Sequence, residues 1–130
     1  LVRPAKDASE PIPHIDDLQT MRLLLLEEGH CMRDQALSYC NMQTARAREG
    51  LDGSSLSTLV QLVGAGIGVT LIPEMALSVE TRSAPVCVNR FGGTQPSRTI
   101  GMIWRKTNPL AQQLEQIAEE VKAAAPTNTI

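Results

Sequence analysis

Four consecutive leucines, Leu23-Leu24-Leu25-Leu26, flanked by Arg22 and Glu27 and ended by Glu28-Gly29, constrain this chain more than any other stretch. A short, uninterrupted apolar run bounded by charge and turn residues suits a strand buried on both faces, as in a parallel sheet. A helix is expected next, over about 32–46, with Ala36, Leu37, Cys40 and Met42 as its apolar positions and Arg46-Ala47-Arg48-Glu49-Gly50 closing it. Ser54-Ser55 then caps a second helix marked by Leu56, Leu59, Val60, Leu62 and Val63. Gly64-Ala65-Gly66 turns the chain into a strand, Ile67-Gly68-Val69-Thr70-Leu71-Ile72, stopped by Pro73, which is placed to start a short helix over 74–79. Further strands are expected at Val86-Cys87-Val88 and over 99–104. Asn108-Pro109 starts a last helix whose Leu110, Leu114, Ile117 and Val121 share one face. Strands alternating with helices define an α/β fold with a largely parallel sheet.

At 130 residues the chain is about one domain in length. Aromatics are 2% of it (Tyr39, Phe91 and Trp104), so the core is built from aliphatic side chains and no platform for stacking bases can be assembled. A net charge of −2 without a basic run argues against electrostatic capture of DNA or an anionic membrane by this polypeptide alone. No apolar stretch reaches the roughly 20 residues that span a bilayer, and no signal peptide is visible. The opening Leu1-Val2-Arg3-Pro4 gives no plausible start and reads as the edge of a longer protein. Residues 1–14 read as a polar, proline-rich entry segment and 125–130 as a frayed tail. Three cysteines without secretory features favour a reducing, cytoplasmic setting with free or switching thiols.

The chemistry is concentrated in His30-Cys31-Met32-Arg33-Asp34-Gln35 and in Cys40, nine residues after Cys31. A cysteine reacts as its thiolate, and cationic neighbours and a helix N-terminus both favour that form. Here an imidazole, a guanidinium and a strand-to-helix junction surround Cys31. If Cys31 starts the helix and Cys40 lies within it, roughly 13 Å of helix axis separates them. A disulfide needs Cα atoms about 4.4–6.8 Å apart. Intact helix and Cys31–Cys40 disulfide then exclude each other. Peroxide oxidation of Cys31 to a sulfenic acid, condensing with Cys40, would be an order–disorder switch in residues 32–42. Tyr39 and Met42 flank Cys40 and are expected to keep its thiol buried and protonated. Simple packing remains open for both cysteines, and it is the better reading for Cys87 between two valines. A zinc site from His30, Cys31, Cys40 and Cys87 lacks the close ligand pairs of structural zinc.

Other constellations are weaker. Gly64-Ala65-Gly66-Ile67-Gly68 follows a helix and precedes a strand, the reverse of a dinucleotide-binding turn. Ser55, Ser57 and Thr58 put hydroxyls at a helix start where a small anion could dock, though plain capping explains them equally well. No hydrolytic triad, paired-carboxylate site or metal motif is present in the sequence, and no cofactor is expected.

Residues 25–36 with Cys40, together with Ser55-Leu56-Ser57-Thr58-Leu59, the stretch from Gly64 to Pro73 and Arg98-Thr99-Ile100-Gly101, resemble the LysR-type transcriptional regulators. The cysteine segment resembles the redox switch of their hydrogen-peroxide-sensing OxyR branch. The resemblance covers most of residues 15–124. It implies a type II periplasmic-binding-protein-like effector domain, with residues 15–97 as subdomain II and residues 98–124 as the strand and helix returning to subdomain I. The winged helix-turn-helix would lie outside this chain. It further implies that Cys31 is the peroxidatic cysteine, Cys40 the resolving one, and that His30, Arg33, Asp34 and Arg98 belong to the peroxide pocket. Implied partners are hydrogen peroxide as oxidant, a second copy of the chain (a dimer, or a tetramer at full length), DNA through the separate domain, RNA polymerase, and a thiol reductant such as glutaredoxin. No membrane is involved. The Leu110, Leu114, Ile117 and Val121 stripe is expected to be covered by association. The competing readings are a LysR-type effector domain that senses a small metabolite anion and, last, a thiol peroxidase. No CxxC or peroxidase-type proline-threonine-cysteine motif supports an enzyme.

Overall fold

A computed structural model describes residues 1–42, 51–92 and 95–125. The chain divides into two compact units, Leu1–Pro96 and Ser97–Ile130.

The first unit is built on a five-stranded sheet. Its strands are β1 (Val2–Pro4), β2 (Leu23–Leu26), β3 (Asp52–Gly53), β4 (Val69–Thr70) and β5 (Val86–Val88), in the order β3-β2-β4-β1-β5. Helix α1 (Cys31–Tyr39) connects β2 towards β3, α2 (Leu56–Gly64) connects β3 to β4, and α3 (Glu74–Glu80) precedes β5. Strand β2 runs parallel to both neighbours, with Leu25 opposite Asp52 and Leu23 opposite Val69.

The four leucines are buried on both faces, as their pattern predicts. Successive strand residues point to opposite sides, so Leu23 and Leu25 pack with Ala36, Leu37 and Cys40 from the α1 region. Leu24 and Leu26 pack with Leu59 and Val63 of α2 on the other side. The leucine run is therefore the layer against which the cysteine-bearing helix is seated.

Two expectations are corrected here. Residues 1–14 are not merely a polar entry, because β1 lies inside the sheet, antiparallel to β4 and β5, with Val2 opposite Thr70 and Val88. The sheet is thus mixed. A three-residue strand containing Arg3 and Pro4 carries no periodic signal. Arg3 is buried because Asn89 Oδ1 (2.9 Å), the Pro11 carbonyl (3.1 Å) and the Glu10 carbonyl (3.3 Å) accept its protons.

Gly68 is required by close approach. A Cβ at this position would sit 2.3 Å from the Arg22 carbonyl oxygen, which the following Val69 amide uses to dock β4 on β2. The expected cap of α2 forms, with Thr58 N donating to Ser55 Oγ at 3.2 Å. Ser55→Ala is expected to cost about 1 kcal/mol, measured as a lower urea midpoint at unchanged slope.

In the second unit α4 (Ala111–Ala124) begins after a turn in which Asn108 Oδ1 accepts from the Leu110 amide. The strand expected over 99–104 is not formed. A strand needs a hydrogen-bonded neighbour, and none lies among the described residues of this unit; Ile103 is 97% exposed. Leu110, Ile117 and Val121 are likewise exposed. No helix among the described residues is long and apolar enough to cross a membrane.

Candidate functional site

Gly29, at φ +97°, turns the chain out of β2 after the leucine run, and His30 becomes the N-cap of α1. A positive φ is cheap only for glycine, so this turn is specified by residue type. Cys31 is consequently the first residue of α1 and is exposed. His30 is exposed too; its side chain makes no capping bond, and its carbonyl accepts from Arg33 N at 2.9 Å. Asp34 is exposed in the first turn, where a carboxylate complements the unpaired N–H groups of the helix start.

Helix α1 ends at Tyr39, earlier than its expected limit near 46; residues 43–46 lie outside the described residues. Asn41 adopts a left-handed φ of 50°. Its amide bonds the Ser38 carbonyl (3.2 Å), while the Met42 amide bonds the Leu37 carbonyl (3.0 Å). This pair of bonds is a Schellman ending, with asparagine in the position usually held by glycine. Cys40, expected inside the helix, is instead its C-cap. The two cysteines bracket the whole helix, and both are free thiols.

Their environments differ sharply. Cys40 is 1% exposed, packed among Leu18, Leu23, Leu25, Leu37 and Phe91. Tyr39 beside it meets Phe91 at a ring-centroid distance of 5.8 Å, and Gln19 Nε2 donates to the Cys40 carbonyl at 3.3 Å. Burial pushes the Cys40 thiol from its ordinary 9.0 up to about 11, as its apolar flanks suggest. The Tyr39 phenol is raised as well, by burial and then by the Cys40 charge.

The folded chain holds the Cys40 proton more tightly than the unfolded chain does, so this contribution is intact below pH 9. It is lost as pH rises from 9 towards 11, by on the order of 2 kcal/mol. Urea midpoints of the reduced protein should fall between pH 8.5 and 10.5, and fall less in Cys40→Ala.

Arg33 requires a correction. Expected beside the Cys31 thiol, it is buried instead, because residues two apart on a helix do not share a face. Its Nη1 donates to the Leu26 carbonyl (2.6 Å) and to Asp52 Oδ1 on β3 (2.7 Å). Sequence reasoning missed Asp52 entirely. The only clue was that a buried arginine needs a counter-charge, and 19 residues of separation conceal which carboxylate supplies it.

Arg98 is exposed and belongs to the second unit. Ser55 Oγ is occupied by capping and by a bond with Thr58 Oγ1 at 3.0 Å, and Ser57 Oγ donates to Glu80. These hydroxyls are internally paired beside a carboxylate, which disfavours the anion-docking reading. Cys87 donates to the Pro4 carbonyl at 3.4 Å. His30, Cys31, Cys40 and Cys87 do not converge: among the described residues no group of three or more His, Cys, Asp or Glu is arranged to hold a metal ion.

The chain matches the family model described as the LysR substrate binding domain over residues 2–126. It is 39% identical over 107 residues to the DNA-binding transcriptional dual regulator OxyR of Escherichia coli K12, covering 82% of this chain and 35% of the relative. It is equally identical, over 115 residues, to the HTH-type transcriptional regulator EstR of Acinetobacter baylyi, covering 87% and 38%. Among solved structures it is similar to the hydrogen-peroxide-bound C206S mutant of Corynebacterium glutamicum OxyR, at TM-score 0.82 and 28% identity, covering 95% of this chain and 40% of that one. A reduced form of OxyR is matched at TM-score 0.79 and 31% identity, over 99% and 61%. The chain thus spans about a third of the length of the curated relatives. The α/β fold is that of the type II periplasmic-binding-protein-like regulatory domains.

Proposed function

The chain belongs to the LysR substrate-binding domain family, and from that premise we propose that it is the regulatory part of a transcriptional regulator that senses hydrogen peroxide. One observation carries the reading: an exposed Cys31 opens a single helix whose end is a buried Cys40. The Cys31 thiolate attacks one peroxide oxygen, the O–O bond breaks, and the departing hydroxide takes up a proton as water. Cys31 is left as a sulfenic acid. Cys40 sulfur then attacks the sulfenic sulfur, forming the S–S bond and releasing a second water. Two thiols lose two electrons in total, and one peroxide gains them. Helix α1 must open for the second step.

In this reading Cys31 is peroxidatic and Cys40 resolving, with the exposed His30 and Asp34 beside Cys31 on the peroxide side. The chain consumes peroxide stoichiometrically and is not an enzyme. Residues 15–97, extended by β1, form subdomain II, and residues 98–124 return to subdomain I. The exposed stripe on α4 supports assembly with a second copy. DNA binding and contact with RNA polymerase belong to the whole cytoplasmic protein, and a small thiol reductant resets the switch.

The match to the LysR substrate binding domain model supports a second reading, an effector domain for a small metabolite anion. One equivalent of hydrogen peroxide added to the reduced protein separates the readings. The proposal requires rapid, complete bridging of Cys31 to Cys40 with loss of two hydrogens, mapped by mass spectrometry. Oxidation as slow as a simple thiol, together with thermal stabilisation by a metabolite anion, favours the second. Continued peroxide turnover with a reductase would indicate an enzyme.

A further inference from the structure

The disulfide chemistry uses neither Arg33 nor Asp52, yet the two make a costly arrangement. Arg33 is 2% exposed, and it is the charged member of the buried face of α1, alongside Ala36 and Leu37. Through Nη1 alone it reaches both the Leu26 carbonyl at the end of β2 and Asp52 Oδ1 on β3. These two strands are parallel neighbours, with Leu26 opposite Gly53. One guanidinium therefore ties the first turn of α1, the turn that carries Cys31, to two strands of the sheet. Its Nε and Nη2 are buried and find no hydrogen-bond partner among the described residues.

We propose that the Arg33–Asp52 pair is the latch of the redox switch, with Asp52 a positioning residue that sets how readily α1 opens to join Cys31 and Cys40. The inference rests on the disulfide reading above. Helix α1 has nine residues, and isolated helices shorter than about 12–15 residues are marginal in water. Its survival depends on what it docks against. The Asp52 carboxylate favours the docked state by compensating a buried positive charge; a purely superficial pair would contribute little. The two unfilled donors favour the open state, because opening returns them to water. With both influences acting on one side chain, the docked helix is held but not locked.

Removing the carboxylate should tip this balance towards opening. The oxidised state needs an open α1, so Asp52→Asn should make the disulfide easier to form and harder to reduce. A roughly tenfold shift is expected, equivalent to about 30 mV more negative for a two-electron couple. The first step, oxidation of Cys31 to sulfenic acid, should keep its rate, while closure by Cys40 accelerates. A general loss of stability would not separate the two steps in this way.

The test uses the intact protein equilibrated in glutathione buffers, with the Cys31–Cys40 disulfide quantified by mass spectrometry for wild type, Asp52→Asn and Asp52→Glu. The proposal expects a more negative midpoint for Asp52→Asn and recovery of at least half the shift in Asp52→Glu, which retains the charge. If Asp52→Asn does not fold, Asp52→Ser replaces it. Wild type and the uncharged variant sharing one midpoint would overturn the latch while leaving the redox reading intact. A wild type that forms no Cys31–Cys40 disulfide would overturn the redox reading and the latch with it.

Discussion

Replacing Cys31 with serine is expected to reduce peroxide-driven disulfide formation to background, whereas Cys40→Ser should still be oxidised and stop at the Cys31 sulfenic acid. The asymmetry follows from where the fold puts each sulfur. Cys31 is exposed on the first residue of α1. Cys40 is sealed in an apolar cluster, and burial pushes its thiol up to about 11. A buried, protonated thiol is a poor first nucleophile, because the thiolate is the reacting species. In the proposed cycle it becomes competent once the residues around it rearrange. Cys40→Ser treated with peroxide and a sulfenic-acid-trapping reagent should carry one adduct on Cys31, and Cys31→Ser should carry none. Equal labelling of the two variants would mean that the roles are not divided as the burial suggests.

The second large effect concerns the layer beneath the switch. Leu24 is fully buried, with Val2, Leu26, Leu59 and Val63 in its cluster. Leu24→Ala removes three carbons from a site bounded by β1 and α2, where collapse is restricted on both sides. The expected loss is about 3 kcal/mol, lowering the thermal midpoint by at least roughly 10 °C for a unit of this size. Circular dichroism melts of the reduced variant measure it directly. A loss below about 1 kcal/mol would show that this cluster is not tightly packed.

What could be read from the residues depended on how far apart the partners lie. The leucine run announces a doubly buried strand because the information is local, and the Ser55 cap of α2 is local too. The cysteine segment was legible for the same reason: residue types and spacing lie within one short stretch. The end of α1 was not, because it turns on one left-handed asparagine, Asn41, where a sequence reading waits for glycine or proline. Strand β1 was hidden by its brevity and by Arg3, whose burial depends on acceptors from Asn89 and from the carbonyls of Glu10 and Pro11. Arg33 lies away from the Cys31 thiol because adjacency in sequence is not adjacency in space. The helix sends residues 31 and 33 to different faces, and Asp52 arrives from another strand. The apolar pattern of residues 99–104 promised a strand, but pattern alone does not supply a hydrogen-bonded neighbour.

The central claim is that the docked helix α1 and the Cys31–Cys40 disulfide cannot coexist. Amide hydrogen exchange across residues 31–39, compared between the reduced protein and the fully bridged protein, tests it most directly. The account predicts slow exchange in the reduced state, where Arg33, Ala36 and Leu37 hold the helix on the sheet, and near-complete loss of that protection once the disulfide forms. Unchanged protection of α1 with the Cys31–Cys40 bond demonstrably closed would contradict it.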